Sequence, residues 1–320
     1  MAKVVFMGTP EFAVPSLDAL IDAGFDVVGV FTQPDRPAGR GHKLVACPVK
    51  QRALERGCSV FQFERLRSAE GVETLRALEP DVAVTAAFGQ ILTEELLSIP
   101  AHGVVNVHAS LLPKHRGSAP INYCIIQGDE VTGVTLMQTA KGIDTGDMYV
   151  SAKTEIGARE TAGALTLRLS QIGAELLAKN LNDILTGALK PIPQDESLAT
   201  YEPLLNKEMG RIDWTRSAHE IDCMVRGLNP WPGAYTDTPL GRMKVHMTAP
   251  SDLCEDALPG TVLRASTKEG LVASCGSGSV EIQTLQMPGA KRMEAKAFLA
   301  GRHIPIGTKL GEVSEGEERE

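Results

Sequence analysis

The sequence predicts an α/β protein: a doubly wound, mostly parallel sheet with helices on both faces, followed by a small β-barrel. Three observations predict it. Up to about residue 130, short β-branched runs alternate with segments of helical period, the pattern of parallel strands covered on both sides. After about residue 187 the texture changes to short apolar pieces punctuated by Gly and Pro, the spacing of a small closed sheet. At 320 residues the chain is also long enough for two domains.

Val4–Met7 is a first strand, an unbroken apolar run of the kind a doubly covered strand needs. Pro10–Ala23 follows as a helix, with Phe12, Leu17, Leu20 and Ile21 at helical spacing. Val27–Thr32 is a second strand. Gln33–Cys47 is a loop, because Pro34, Pro37, Gly39 and Gly41 interrupt any period. Helices are expected at Pro48–Gly57 and Ser68–Leu78, with Thr93–Leu97 part of a short one; strands are expected at Ser59–Phe61, Asp81–Thr85 and Val104–His108. Pro120–Gln127 is a further helix. Gly133–Thr139 and Gly146–Ile156 read as later strands, with an antiparallel arrangement open to them. Thr161–Leu185 is a long amphipathic helix carrying Leu165, Leu169, Ile172 and Leu176. Gly187–Asn206 is Pro-rich and polar and reads as a linker, and Ser217–Gly227 as a helix. The barrel strands are Gly233–Thr236, Met243–Ala249, Gly260–Ala265, Leu271–Cys275 and Ser279–Met287.

Composition narrows the function classes. With 43% hydrophobic and 22% charged residues the chain has the make-up of an ordinary globular protein. No apolar run approaches the roughly 20 residues of a membrane helix, so no membrane partner is expected, and the N-terminal apolar run is too short for a signal peptide. Six scattered cysteines without a CxxC pair fit reduced thiols in a cytoplasmic protein and give no metal site. The net charge of −8 is unevenly spread: residues 312–320 hold five Glu and one Arg and read as a disordered acidic tail, whereas Gln33–Lys50 holds Arg36, Arg40, Lys43 and Lys50 against Asp35 alone. Local charge decides phosphate contacts, since screening limits reach to about 10 Å. The turn Met7-Gly8-Thr9-Pro10-Glu11-Phe12 lacks the later glycines of GxGxxG, so no nicotinamide or flavin is expected, and no phosphate-cradling GxxxxGK[ST] is present.

The main anomaly is a polar break at the end of the Val104–His108 strand. Asn106 and His108 share a face, about 6.6 Å apart along the strand, where a buried strand should be apolar. They stand at a carboxyl strand end, where open α/β sheets bind ligands. Asn offers an N–H donor and His a proton, a plausible cradle for a developing oxyanion, although a lone His also suits a satisfied core position. Asp144, in Lys141-Gly142-Ile143-Asp144-Thr145-Gly146-Asp147, is a third candidate, with an Asx-turn as its other reading. A single Asp-Thr-Gly in a chain of this length does not make an aspartic protease.

Asn106-Val107-His108-Ala109-Ser110-Leu111-Leu112-Pro113, then Arg116-Gly117, then Gly-Ile-Asp-Thr-Gly-Asp around Asp144, resembles the signature of the folate-dependent formyltransferases. Met7–Pro15, Gln33–Gly41, Gly210–Trp214 and Val225–Ala234 resemble the members that act on methionyl-tRNA, and the likeness runs from residue 1 to about 311. The resemblance implies a Rossmann-like formyltransferase domain at 1–189, a linker at 190–206 and an OB-fold-like tRNA-binding domain at 207–311 before the tail at 312–320. It implies formyl transfer from 10-formyltetrahydrofolate to the methionine amino group of initiator Met-tRNA, for translation initiation, by a monomeric enzyme with no metal. Asn106, His108 and Asp144 are then the catalytic trio: Asn106 and His108 stabilise the oxyanion, while Asp144 orients His108 and helps pass a proton to the folate. Ser110, Leu111, Leu112 and Pro113 bind folate, and Phe88, Gly89, Ile91 and Leu92 line its pterin pocket, with plain core packing open for Phe88, Ile91 and Leu92. Arg36, Arg40 and Lys43 contact the tRNA, Arg40 foremost. Trp231, between two prolines, is expected to anchor packing rather than stack on a base. A formyltransferase for another amine is the nearest rival. A formyltetrahydrofolate hydrolase and a non-enzymatic RNA-binding protein are the others.

Overall fold

A computed structural model describes residues 1–38, 43–253 and 255–312; the side chains of Ala38 and Lys43 fall outside that description, as does most of the expected acidic tail. The described chain forms two compact units, the first made of Met1–Pro120, Val131–Glu155 and Leu165–Glu202. The second holds Ile121–Glu130, Ile156–Ala164 and the chain from Pro203 onward.

The first unit is built on seven strands: β1 (Lys3–Gly8), β2 (Asp26–Thr32), β3 (Val60–Gln62), β4 (Val82–Ala86), β5 (Val104–His108), β6 (Val131–Gln138) and β7 (Met148–Glu155). Their spatial order is β7-β6-β5-β4-β1-β2-β3. The five strands β1 to β5 pair in parallel, and β6 and β7 add on in antiparallel fashion. Parallel neighbours need a crossover, supplied by α1 (Val14–Asp22), α2 (Pro48–Glu55), α3 (Ala69–Ala77) and the single turn α4 (Glu94–Leu97). Ser68 and Thr93 cap α3 and α4 by accepting from backbone N–H groups three residues on. Val5, Met7, Phe31, Leu75, Ala83 and Val104 meet in one buried cluster. The first expected helix is split, with a 3₁₀ turn at Glu11–Ala13 ahead of α1. The Gln33–Cys47 loop contains a short hairpin, Arg36–Ala38 against Lys43–Val45. Pro and Gly density hides such pairing, because it marks a turn without revealing the two arms.

Strand order reverses beside β1, so the crevice outside the carboxyl ends of β1, β4 and β5 is where such a sheet receives ligands. The rung Met7–Thr85–Asn106 runs across these three strands in register. A long helix, α6 (Ala162–Thr186), covers β5 from one face. It comes so close that a Cβ on Gly173 would lie 2.8 Å from Val107 Cγ1.

The second unit carries α5 (Pro120–Ile126, its first residue belonging to the first unit), α7 (Ala218–Gly227) and five antiparallel strands. These are β8 (Ala234–Thr238), β9 (Gly241–Ser251), β10 (Val262–Ser266), β11 (Gly270–Ser274) and β12 (Ser279–Gln286), in the order β8-β9-β12-β11-β10. Two elements missed by the sequence reading add to it, a two-residue strand Met293–Glu294 on β12 and a helix α8 (Ala295–Gly301). Val245, Ile282, Leu271, Trp214 and Phe298 sit in its core. Trp231 does not: it is 53% exposed, contrary to the packing role expected of it.

Candidate active site

The sheet places Asn106 at the carboxyl end of β5, beside Thr85 of β4. Thr85 Oγ1 donates to Asn106 Oδ1 at 2.8 Å. That bond occupies the amide oxygen and directs Nδ2 elsewhere; among the described residues Nδ2 has no hydrogen-bond partner. Two residues on, His108 is buried, and its Nε2 lies 3.1 Å from the carbonyl oxygen of His115. A carbonyl only accepts, so this contact puts the ring proton on Nε2. His108 Nδ1 faces Asp144 Oδ1 at 3.6 Å, within ion-pair range of a protonated ring but too long for a hydrogen bond. The ring's hydrogen bond therefore goes to a backbone carbonyl, with Asp144, expected to orient it, facing its other nitrogen.

Asp144 sits at φ +52°, in the left-handed region that costs a non-glycine residue of the order of 1 kcal/mol or more. Three contacts hold it there. Gly117 N–H donates to Oδ2 at 2.8 Å. Gln194 Nε2 donates to the carbonyl of Asp144 at 2.8 Å and to that of Gly146 at 2.7 Å. Gly146 lies so close to Gln138 that a Cβ would be 1.7 Å from its carbonyl oxygen, so only glycine fits.

The loop after β5 is tied down just as firmly. Ser110 Oγ donates to the carbonyl of Lys114 at 2.6 Å, and Thr135 Oγ1 of β6 lies 2.7 Å from the Ser110 carbonyl and accepts from Leu112 N–H at 3.3 Å. His115 (φ +57°) has its N–H on Thr200 Oγ1 and its Nδ1 2.9 Å from Glu202 Oε1. Arg116 is 0% exposed. It donates to Gln194 Oε1, to both Glu196 carboxylate oxygens and to the Tyr201 hydroxyl. The Glu196 carboxylate, foremost, holds its guanidinium pKa above the ordinary value, and Arg116 in turn lowers that of Glu196. Arg116–Gly117 also pairs in parallel with Tyr201–Glu202. The expected linker thus supplies Gln194, Glu196, Thr200, Tyr201 and Glu202 to this loop. Sequence reading missed all five, together with Thr85 and Thr135. Their one local signal is polarity in a Pro-rich stretch, which reads as exposure.

Of the residues expected to bind folate, Leu111 and Pro113 are partly exposed and Gly89 and Ile91 fully so, Ile91 at 74%. Ser110 and Leu112 are buried, and the Ser110 hydroxyl is spent on its own loop. Phe88 belongs to the sheet's core cluster and Leu92 packs against it, so their side chains support the crevice from beneath. Gln33 bridges this region to the basic hairpin, donating from Nε2 to the carbonyl of Gly89 at 2.9 Å. At the hairpin root, Lys50 donates to Asp35 at 2.6 Å and to Gln62 at 2.7 Å, and Lys50 foremost depresses the Asp35 pKa. Arg36 is exposed on the hairpin; Arg40 and the Lys43 side chain lie outside the described residues. No group of three or more metal-ligating side chains occurs among the described residues.

A formyl transferase family model matches residues 2–181, and a formyl transferase C-terminal domain model matches residues 204–303. The chain belongs to the formyl transferase family. It is 48% identical over 315 residues to the methionyl-tRNA formyltransferase of Geobacter sulfurreducens, covering 98% of each chain. It is 46% identical to that of Bacillus velezensis, covering 98% of this chain and 99% of the other. Among solved structures, an N-formyltransferase from Helicobacter canadensis, in complex with folinic acid and dTDP-3-aminofucose, superposes with a TM-score of 0.65. That match covers 92% of this chain and 100% of the other at 19% identity, and so shows a shared formyl transferase fold.

Proposed function

We propose that this formyl transferase moves the formyl group of 10-formyltetrahydrofolate onto the α-amino group of methionine on initiator Met-tRNA, giving N-formylmethionyl-tRNA. The observation that carries the reading is the convergence of a free Asn106 amide N–H₂, His108 Nδ1 and the Asp144 carboxylate at the carboxyl end of β5. Relatives named for this substrate match over nearly their whole length, the second region included, and that favours Met-tRNA over a smaller amine.

The chemistry follows from the geometry. A free α-amino group has a pKa near 7.7–8.0, so on the order of a tenth is neutral at pH 7 and ready to attack the formyl carbon. The carbonyl oxygen then gains charge, and the Asn106 N–H₂, pre-aimed by Thr85, donates to it. His108 keeps its own proton on the His115 carbonyl through Nε2, which leaves Nδ1 to accept the proton released by the amine. Asp144, 3.6 Å away, balances the charge on the ring. As the bond from the formyl carbon to the folate nitrogen breaks, His108 returns that proton to the departing nitrogen. One N–H of the amine is thus exchanged for an N–C bond, and tetrahydrofolate leaves with the hydrogen.

Folate lies along Ser110–Pro113, against the partly exposed Leu111 and Pro113 and the exposed Gly89 and Ile91. Arg36, Arg40 and Lys43 meet tRNA phosphates at the acceptor end. The enzyme works as a monomer in the cytoplasm, where charged tRNA is found. No described helix is long and apolar enough to cross a membrane.

One assay tests the reading. The protein is mixed with 10-formyltetrahydrofolate and either charged initiator tRNA, charged elongator Met-tRNA or an amino-sugar nucleotide, and formyl transfer is followed. Formylation of the initiator species is expected. Transfer to the amino sugar alone, or to none of the three, overturns it.

A further inference from the structure

We infer that Gln194 is a positioning residue for the reaction, acting through Asp144; the inference rests on the role of Asp144 proposed above. Its amide is fully committed. Oε1 accepts from Arg116 Nε at 3.1 Å and Nη2 at 2.8 Å, while Nε2 donates to the carbonyls of Asp144 at 2.8 Å and Gly146 at 2.7 Å. A guanidinium only donates and carbonyls only accept, so the amide has one orientation and no workable flip. Arg116 is itself buried and anchored on Glu196 and Tyr201, which makes the amide's foundation rigid. Gln194 thus pins two carbonyls that flank the turn where Asp144 holds its left-handed backbone.

This matters because, among the described residues, the Gln194 amide makes the one hydrogen bond to the Asp144 main chain. Gly117 N–H holds only the carboxylate, and the 3.6 Å gap to His108 Nδ1 exceeds hydrogen-bond range. A carboxylate at that distance is sensitive to displacement, and a shift of about 1 Å in a reacting constellation costs on the order of 100-fold in rate. Gln194 lies 50 residues from Asp144 in sequence and touches none of the proposed reacting groups directly.

Gln194→Glu is the discriminating substitution. It is isosteric and keeps an acceptor for Arg116, so the buried guanidinium stays paired, yet it replaces the donor to both carbonyls with a repelling oxygen. Single-turnover and steady-state formylation are measured for the wild type, Gln194→Glu, Asp144→Asn and the double variant. The expected result is a 10- to 100-fold fall in kcat for Gln194→Glu, with KM for folate and tRNA within about twofold. In the Asp144→Asn background the same substitution is expected to cost less than about threefold further, because the residue through which it acts is already disabled. Near-wild-type turnover of Gln194→Glu overturns the inference, as does an equal loss in both backgrounds, which marks a general structural role; either leaves Asp144 in place. Full activity of Asp144→Asn overturns the proposed role of Asp144, and the inference with it.

Discussion

His108 Nε2 donates to the carbonyl oxygen of His115, seven residues along the chain and 3.1 Å away. The accepting carbonyl belongs to a residue in the left-handed region, whose ring rests on Glu202 and whose N–H rests on Thr200. The His108 ring is therefore set by main chain that is itself clamped, and its Nδ1 is left facing Asp144.

This arrangement separates orientation from charge balance. Asp144→Asn is expected to lower kcat by about 100-fold or more while leaving the His108 ring in place. Kinetics together with a crystal structure of the variant check both halves. A rotated ring would show that the carboxylate does orient His108.

Asn106→Ala is expected to lose about 3–4 kcal/mol of transition-state stabilisation, or roughly 100- to 1000-fold in kcat. Thr85→Val removes only the bond that aims the amide, and should cost less, of the order of tenfold. Both are read from kcat with tRNA affinity measured in parallel. A Thr85→Val loss as large as that of Asn106→Ala would contradict the division of labour.

Arg36 stands exposed on the basic hairpin. Arg36→Ala should weaken tRNA binding and lower the slope of log affinity against log salt by about 0.7–0.9. Titrations between 0.05 and 0.2 M salt give that slope, on the order of the range over which phosphate contacts are resolved. An unchanged slope would remove Arg36 from the interface.

Gly146→Ala forces a methyl group into the space of the Gln138 carbonyl. Overpacking of backbone should cost about 1–3 kcal/mol, with the Asp144 turn displaced. Chemical denaturation and turnover together report it; a variant both stable and active would contradict the close approach.

In the second unit Ser217 and Glu220 form a reciprocal cap on α7. Ser217→Ala should cost about 1 kcal/mol. The Ser217 hydroxyl and N–H lower the Glu220 carboxyl from near 4.5 to about 2. A depressed carboxyl stabilises the fold fully above about 4.5 and loses that contribution as pH falls toward about 2. The urea midpoints of the wild type and Glu220→Gln should therefore converge across that window, and a constant gap would refute the linkage.

Much of this was legible in the sequence for identifiable physical reasons. Val4–Met7 is a strand buried on both faces that an unbroken apolar run announces, and the β-branched Val104, Val105 and Val107 announce Val104–His108. Ser68, Thr93 and Ser217 announce helix starts by their chemistry. Asn106 and His108 stood out because they violate the pattern of their strand. What stayed hidden depends on contacts between distant segments. Gln194 and Glu202 act on residues 48 to 87 positions away, and no local period encodes that. The pairing of Arg36–Ala38 with Lys43–Val45 stayed hidden because the Pro and Gly density of that stretch reads as a loop.

The clamp of Gln194 to Glu202 on the loop after β5 has a consequence for the order of events during synthesis. A nascent chain that has emerged only to residue 190 already holds all seven strands of the first unit, Asn106, His108 and Asp144, yet lacks Gln194, which bonds the Asp144 carbonyl, and Thr200 and Glu202, which hold the His115 N–H and ring. The contacts that hold the Asp144 turn and His115 therefore become possible only with a short, Pro-rich stretch at the end of the first unit, not with the last strand of its sheet. Ribosome-arrested chains ending on either side of this stretch, once clear of the exit tunnel, should differ in how readily protease cuts the 139–147 turn.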